Sequence, residues 1–126
     1  MSFDLVIFDC DGVLVDSELI ACKVEAEAYT KLGYEIDWMT MAERFAGMSS
    51  MEIMETICDE LDQPPNLHLY EKIQEEMDAR MASELQVIAG AEAVLKEFAP
   101  DCCICSNSGM DRLKTNLSKF GLWEAI

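Results

Sequence analysis

The segment Leu5-Val-Ile-Phe8, near the start of the chain, is apolar at every position. A short apolar run without alternation is typical of a strand that is buried on both faces of a parallel sheet. The segment Cys102-Cys-Ile-Cys105 follows the turn residues Pro100 and Asp101 and has the same character. Both segments are therefore predicted to be strands of an α/β fold.

Apolar periodicity and helix-capping residues fill most of the remaining sequence. Thr40-Met-Ala-Glu43 and Ser49-Ser-Met-Glu52 both fit the capping-box pattern that begins many helices. The predicted helices run from about Ser17 to Leu32, from Thr40 to near Gly47, from Ser49 to Pro64, from after Asn66 to about residue 83, from after Gly90 to Phe98, and from about Gly109 to Lys119.

The order of these elements predicts a discontinuous core. Residues 1–16 and 84–126 each contribute a strand to it, and residues 17–83 form a helical insert between them. Two short strands do not make a stable sheet alone. Either the domain is unusual, or the chain lacks later strands.

Composition excludes several classes of protein. The chain has 126 residues with a formal net charge of −16, and such a surface repels nucleic acid. No apolar run approaches the roughly 18 residues of a membrane span, and the N-terminus lacks the basic region of a signal peptide. Six cysteines accompany a single histidine, His68, so reduced thiols in the cytosol are expected rather than a structural zinc site.

Two carboxylates follow the first predicted strand, at Asp9 and Asp11. Residues two apart in an extended chain point the same way, and ligands bind at the carboxyl edge of such sheets. Gly12 permits a sharp turn directly afterwards. Like charges this close favour a bound cation or a protonated acid, and either would serve phosphoryl transfer. Two solvated acids in a loop, with Asp16 as a helix cap, are the alternative.

Three segments resemble motifs of the haloacid dehalogenase-like superfamily. The stretch from Asp9 to Ser17, Asp-Cys-Asp-Gly-Val-Leu-Val-Asp-Ser, resembles the first motif, and Ile104-Cys-Ser-Asn-Ser108 resembles the second. Arg44-Phe-Ala-Gly-Met-Ser49 is similar to a cap segment of the beta-phosphoglucomutase-like and sugar-phosphate phosphatase-like members. The resemblance implies a Rossmann-like core with an inserted α-helical cap.

The resemblance also implies roles for individual residues. Asp9 would attack phosphorus and form an aspartyl-phosphate, while Asp11 would protonate the leaving alkoxide and then activate water. Magnesium would bind the Asp9 carboxylate and the backbone carbonyl of Asp11. Ser106 would donate to a phosphoryl oxygen, and amides near Asn107, opening the last helix, would help to hold the anion. Arg44 would be the cap cation that meets the substrate.

Two later motifs of the superfamily have no counterpart in the sequence. One supplies a lysine that neutralises nucleophile and phosphate, but Lys114 and Lys119 both fall within the last predicted helix. The other supplies a pair of acids for the metal, whereas Glu124 is the only acid after Asp111. The chain is therefore expected to be the first part of a longer enzyme and to be inactive alone.

Several functions remain open from the sequence. The first is a magnesium-dependent phosphatase of a small phosphorylated metabolite such as a sugar phosphate, because a compact helical insert over a sheet edge closes on small molecules. A phosphomutase on the same scaffold and a non-catalytic module derived from a truncated enzyme are alternatives. A dehalogenase is disfavoured because Asp11 would have no task there. Neither nucleic acid nor membrane is expected as a partner, and the oligomeric state is open.

Overall fold

The computed structural model describes residues 2–126, which form two strands and six helices. In chain order these elements are β1 (Val6–Phe8), α1 (Ser17–Leu32), α2 (Trp38–Arg44), α3 (Ser50–Glu60), α4 (Leu67–Glu84), α5 (Ala91–Phe98), β2 (Cys102–Ile104) and α6 (Met110–Ser118). None of the helices within residues 2–126 combines the length and apolar character needed to cross a membrane.

The strands β1 and β2 pair in parallel, with Val6 opposite Cys102 and Phe8 opposite Ile104. A bond from Val6 N to Asp101 O extends the pairing at one end, at 2.9 Å. Parallel strands need a long crossover between them, and α1 to α5 form that crossover. The predicted α/β fold is thereby confirmed.

The prediction that β1 is buried on both faces was wrong for residues 2–126, which the structure describes. Phe8 packs against Phe98 of α5, with ring centroids 6.2 Å apart. The adjacent side chains of Leu5 and Ile7 are 53% and 62% exposed. A strand has two faces, and within residues 2–126 only the face towards α5 is covered.

The chain divides into two compact units. The first contains residues up to Glu18 together with Met81–Ile126, and the second is Leu19–Arg80. Buried side chains in the first unit include Leu14, Val15, Leu85, Leu95, Leu117 and Leu122, and those in the second include Tyr29, Met41, Met54, Ile57 and Met77. Compact packing does not establish that each unit acts as a domain, so the domain limits at 16/17 and 83/84 stay a prediction.

Capping explains where the helices of the second unit begin. Ser49 and Glu52 form the predicted capping box at the start of α3. The capping box predicted at Thr40 was wrong. Asp37 has extended backbone, and its Oδ1 accepts from the amide of Thr40 at 2.7 Å, so α2 begins at Trp38. Asp is a better cap than Thr, and it lies earlier in the chain.

Candidate active site

A tight turn follows β1 and carries the first predicted motif. The carbonyl of Cys10 accepts from the amides of Val13 and Leu14, at 3.1 and 2.8 Å. Gly12 has a φ of +78°, in the left-handed region that favours glycine. The turn therefore needs a residue without a side chain at this position.

The turn is anchored to the segment that follows α4. Asp16 N donates to Gln86 O and Ile88 N donates to Leu14 O, both at 2.9 Å. These bonds tie the turn to a segment that is distant in the sequence, so the geometry of the turn depends on the fold as well as on the loop itself.

The Asp11 carboxylate accepts hydrogen bonds from three serine hydroxyls. Ser17 Oγ donates to Asp11 Oδ1 at 2.5 Å. Ser106 Oγ and Ser108 Oγ both donate to Asp11 Oδ2, at 3.1 and 2.6 Å. The structure thus brings together two of the predicted site residues, Asp11 and Ser106, and adds Ser17 and Ser108, to which the sequence interpretation gave no role.

Asp9 is exposed at the end of β1, and its Oδ1 accepts from the amide of Cys10 at 2.8 Å. That bond orients the carboxylate while leaving the side chain open to a ligand. Burial, together with the charges of Asp11 and Asp9, raises the pKa of the neighbouring Cys10 thiol to about 12. The Cys10 thiol consequently stays in its protonated form, which is less nucleophilic than the thiolate, at neutral pH.

Glu18 is a third acid beside this turn, and the sequence analysis did not single it out. Its Oε2 lies 3.0 Å from the position that a Cβ on Gly12 would occupy. Burial and then the charges of Asp11 and Asp9 raise the pKa of Glu18. Acidic residues are common in the first turn of a helix, where they interact favourably with the helix dipole. Nothing in the sequence therefore indicated that Glu18 lies close to the motif.

Asn107 is exposed in the loop between β2 and α6. It does not open the last helix as predicted, because Gly109 is the N-cap and α6 begins at Met110. The loop backbone instead turns back, with Ser108 N donating to Ser106 Oγ at 3.1 Å. Anion binding by amides near Asn107 stays a prediction.

Arg44 lies at the end of α2, in the second unit, and has partners there. Its guanidinium donates to the carboxylate of Glu60 and to the hydroxyl of Tyr34, and Tyr34 in turn donates to Glu60. The guanidinium also lies 5.0 Å from the ring centre of Phe45. These contacts hold the Arg44 side chain in place within the second unit. Contact between Arg44 and substrate stays a prediction.

Lys114 of α6 and Lys119, which caps that helix, both contact other parts of the first unit. Lys119 Nζ donates to the carbonyls of Ala82, Met81 and Leu85, at 3.0, 3.3 and 3.4 Å. It thereby supplies a donor to carbonyls at the end of α4 and just beyond it, where the hydrogen bonds of the helix run out. Lys114 Nζ lies 5.9 Å from the ring centre of Trp123.

The donors at the turn fit part of a magnesium shell. Asp11 offers its backbone carbonyl, since its carboxylate oxygens are taken by serines, and Asp9 offers a carboxylate. Magnesium prefers oxygen donors and is commonly held by one or two carboxylates with waters and substrate phosphate. Within residues 2–126 no group of three or more His, Cys, Asp or Glu side chains is arranged to hold a metal. Any ion here would therefore need further oxygen ligands.

Comparison with known proteins supports the family resemblance. A sequence model of haloacid dehalogenase-like hydrolases matches residues 6–126. The 6-phosphogluconate phosphatase of Escherichia coli (strain K12) is 29% identical over 123 residues, which are 94% of this chain and 54% of that enzyme.

Two solved structures are also similar. A conserved haloacid dehalogenase-like protein of unknown function from Agrobacterium tumefaciens strain C58 is 42% identical with a TM-score of 0.85, and the match covers 99% of this chain and 56% of that one. A HAD family hydrolase from Deinococcus radiodurans R1, solved with bound phosphate and sodium, is 29% identical with a TM-score of 0.69, covering 98% and 55%. The chain thus spans about half the length of these relatives.

Proposed function

Since the chain belongs to the haloacid dehalogenase-like hydrolase family, we propose that the whole protein is a magnesium-dependent phosphatase of a small phosphorylated metabolite. The observation that carries the proposal is the arrangement at one sheet edge, where Asp9 and Asp11 follow β1 and Ser106 of the β2 loop reaches Asp11. The phosphate bound by the Deinococcus radiodurans relative supports an anion site in this fold.

In the proposed reaction, a carboxylate oxygen of Asp9 attacks phosphorus, and the bond to the substrate oxygen breaks. Asp11, in its protonated form, gives its proton to the leaving alkoxide, which departs as an alcohol. Asp11 then takes a proton from a water that attacks the aspartyl-phosphate, and inorganic phosphate leaves with Asp9 restored. Magnesium, held by Asp9 and the Asp11 carbonyl, would offset the negative charge of carboxylate and phosphate.

The proposed substrate is a sugar phosphate or a similar polyol phosphate. The Escherichia coli relative is a 6-phosphogluconate phosphatase, which supports this class. A phosphomutase that moves phosphate between sugar hydroxyls is the second candidate, since it would use the same first step. The net charge of −16 argues against nucleic-acid substrates.

A panel of phosphorylated metabolites tests the proposal on the full-length protein, with magnesium and with EDTA. We expect sustained, magnesium-dependent release of inorganic phosphate from sugar phosphates. Interconversion of sugar phosphates without net release would favour the phosphomutase. A preference for phosphoproteins or nucleic acid would refute the substrate class.

We further propose that residues 1–126 are the first part of a longer enzyme. The relatives are nearly twice as long, and the exposed apolar face at Leu5 and Ile7 is suited to further sheet or helix from the same protein. Lys114 lies within α6, and Lys119, which caps that helix, donates to carbonyls near the end of α4. In a side-by-side assay with a generic phosphate ester and magnesium, the isolated chain should show little or no turnover. Turnover comparable to that of the full-length protein would overturn the fragment interpretation.

We also place the protein in the cytosol. Within residues 2–126 the cysteines form no disulfide bond, and Cys105 is exposed while Cys22 and Cys103 are half-buried. Reducing compartments maintain thiols in this state. Fractionation of the source cells, with detection of the full-length protein, tests this placement.

A further inference from the structure

The hydroxyl of Ser106 has one hydrogen, for which Asp11 Oδ2 and the phosphoryl oxygen of its proposed role would compete. It accepts from Ser108 N at 3.1 Å, and it donates to Asp11 Oδ2 at 3.1 Å. A serine hydroxyl carries a single hydrogen. Ser106 therefore cannot donate to a phosphoryl oxygen, as its proposed role requires, and to Asp11 at the same time.

Ser108 donates to the same oxygen of Asp11 over a shorter distance, 2.6 Å. Ser17 donates to the other oxygen at 2.5 Å. Each carboxylate oxygen thus keeps a close hydroxyl donor even when Ser106 turns away. Both of these bonds are shorter than the 3.1 Å bond from Ser106, which is long for a bond between a hydroxyl and an oxygen.

We infer that Ser108 is a positioning residue for Asp11. It holds the Asp11 carboxylate in place when Ser106 redirects its hydrogen to the phosphoryl group. The inference rests on the proposed function, because it concerns the acid and base of that reaction.

Helix capping does not account for the Ser108 side chain. The N-cap of α6 is Gly109, with no side-chain bond to the helix, and the Ser108 hydroxyl is directed to Asp11 instead. The backbone amide of Ser108 meanwhile holds the oxygen of Ser106. One residue therefore orients both the proposed acid and the proposed phosphate ligand.

Steady-state kinetics of the full-length protein test the inference. Ser108→Ala should lower kcat by about tenfold to a hundredfold while KM stays within about twofold, because a bond to a charged group is lost without a loss of substrate contact. Ser108→Thr keeps the hydroxyl and should recover most of the rate. Ser118→Ala, at an exposed serine at the end of α6, is the matched control and should match the wild type.

The outcomes separate this inference from the proposed function. An active wild type whose Ser108→Ala variant keeps its kcat would overturn the inference and leave the phosphatase intact. If Ser108→Ala does not fold, Ser108→Cys replaces it, because a thiol is a weak donor of similar shape, and full kcat in that variant has the same meaning. If the wild type itself releases no phosphate, the proposed function fails. A crystal structure of the variant then decides the positioning role, which requires a rotated Asp11 carboxylate and is refuted by an unmoved one.

Discussion

The amide of Cys105 donates to the carbonyl of Phe8 over 2.9 Å, immediately beyond the paired residues of β1 and β2. This bond aligns the ends of the two strands. In this register Asp9 comes level with Cys105, and Ser106 follows one residue later. The proposed nucleophile and the proposed phosphate ligand therefore both follow the carboxyl end of the same pair of strands.

Asp9→Asn in the full-length protein should reduce phosphate release by about a thousandfold or more, because it removes both the nucleophile and a metal ligand. Asp4→Asn, at an exposed acid just before β1, is the control and should retain activity. Phosphate release is measured with a coupled colorimetric assay. Normal turnover in Asp9→Asn would mean that Asp9 is structural.

Gly12→Ala should destabilise the protein by about 1–2 kcal/mol, because alanine is strained at positive φ. The added Cβ would also lie 3.0 Å from Glu18 Oε2. Shortening Glu18 in the double variant Gly12→Ala/Glu18→Ala should recover only the part of the loss due to this contact. Chemical denaturation of the wild type and both variants measures the effect. Equal stability of Gly12→Ala and the wild type would contradict the strained turn.

Glu25 is a buried carboxyl in α1, 5% exposed, and its Oε2 has no hydrogen-bond partner within residues 2–126. Burial raises its pKa from the ordinary 4.5 to about 7. The unfolded chain releases this proton at lower pH than the folded one. Stability should therefore fall as pH rises from about 4.5 to about 7 and stay level above, by roughly 3 kcal/mol in total.

Thermal unfolding of the full-length protein at pH 5 and pH 8 checks this expectation. Glu25→Gln cannot ionise, so the variant should lose less stability than the wild type between the two conditions. Glu55→Gln, at an exposed position of α3, is the control and should follow the wild type. Identical pH dependence in Glu25→Gln and the wild type would show that Glu25 is ionised in the folded protein.

Arg44→Ala should raise KM several-fold with little change in kcat if Arg44 binds substrate in the ground state and transition state alike. Glu60→Gln weakens the ion pair but keeps the guanidinium, so its KM should stay normal. An exposed pair of this kind adds at most about 1 kcal/mol to stability. Equal KM values for both variants and the wild type would assign Arg44 a structural role only.

Hydrogen exchange on the full-length protein should show amides within residues 17–83 losing protection together, as one cooperative unit. The amides of β1 and β2 should exchange separately from them. Mass spectrometry of proteolytic peptides measures both sets. Exchange that runs uniformly through both units would argue against the predicted domain limits.

Local signals predicted the helices well. The bounds of α1 agree with the prediction because Gly33 stops the helix. The Ser49 box places the start of α3 correctly, since both of its partners lie within four residues, but α3 ends at Glu60 and not at the predicted Pro64. The paired strands followed from their apolar runs. In each case the deciding interaction is close in sequence or is repeated along it.

Long-range relationships could not be predicted in the same way. Ser108 reaches Asp11 across 97 residues, and no pattern in either segment indicates that bond. The exposure of Ile7 depends on which layers cover the sheet, whereas its apolar character is a property of the residue alone. Asp37 and Thr40 are both residue types that can cap the start of a helix. Which of them caps α2 depends on the backbone conformation, and the sequence pattern does not show that conformation.

Acidic residues in active sites often destabilise the folded protein, and replacing them commonly yields a more stable but less active variant. Asp11 departs from that pattern, since its carboxylate ties the turn after β1 to the start of α1 and to the loop before α6. Replacement of Asp11 would remove the acceptor of the Ser17 hydroxyl. Because Ser17 is only 1% exposed, that hydroxyl would be left buried without its partner, which costs stability. An engineer who looks for thermostable but inactive variants should therefore find no gain at Asp11.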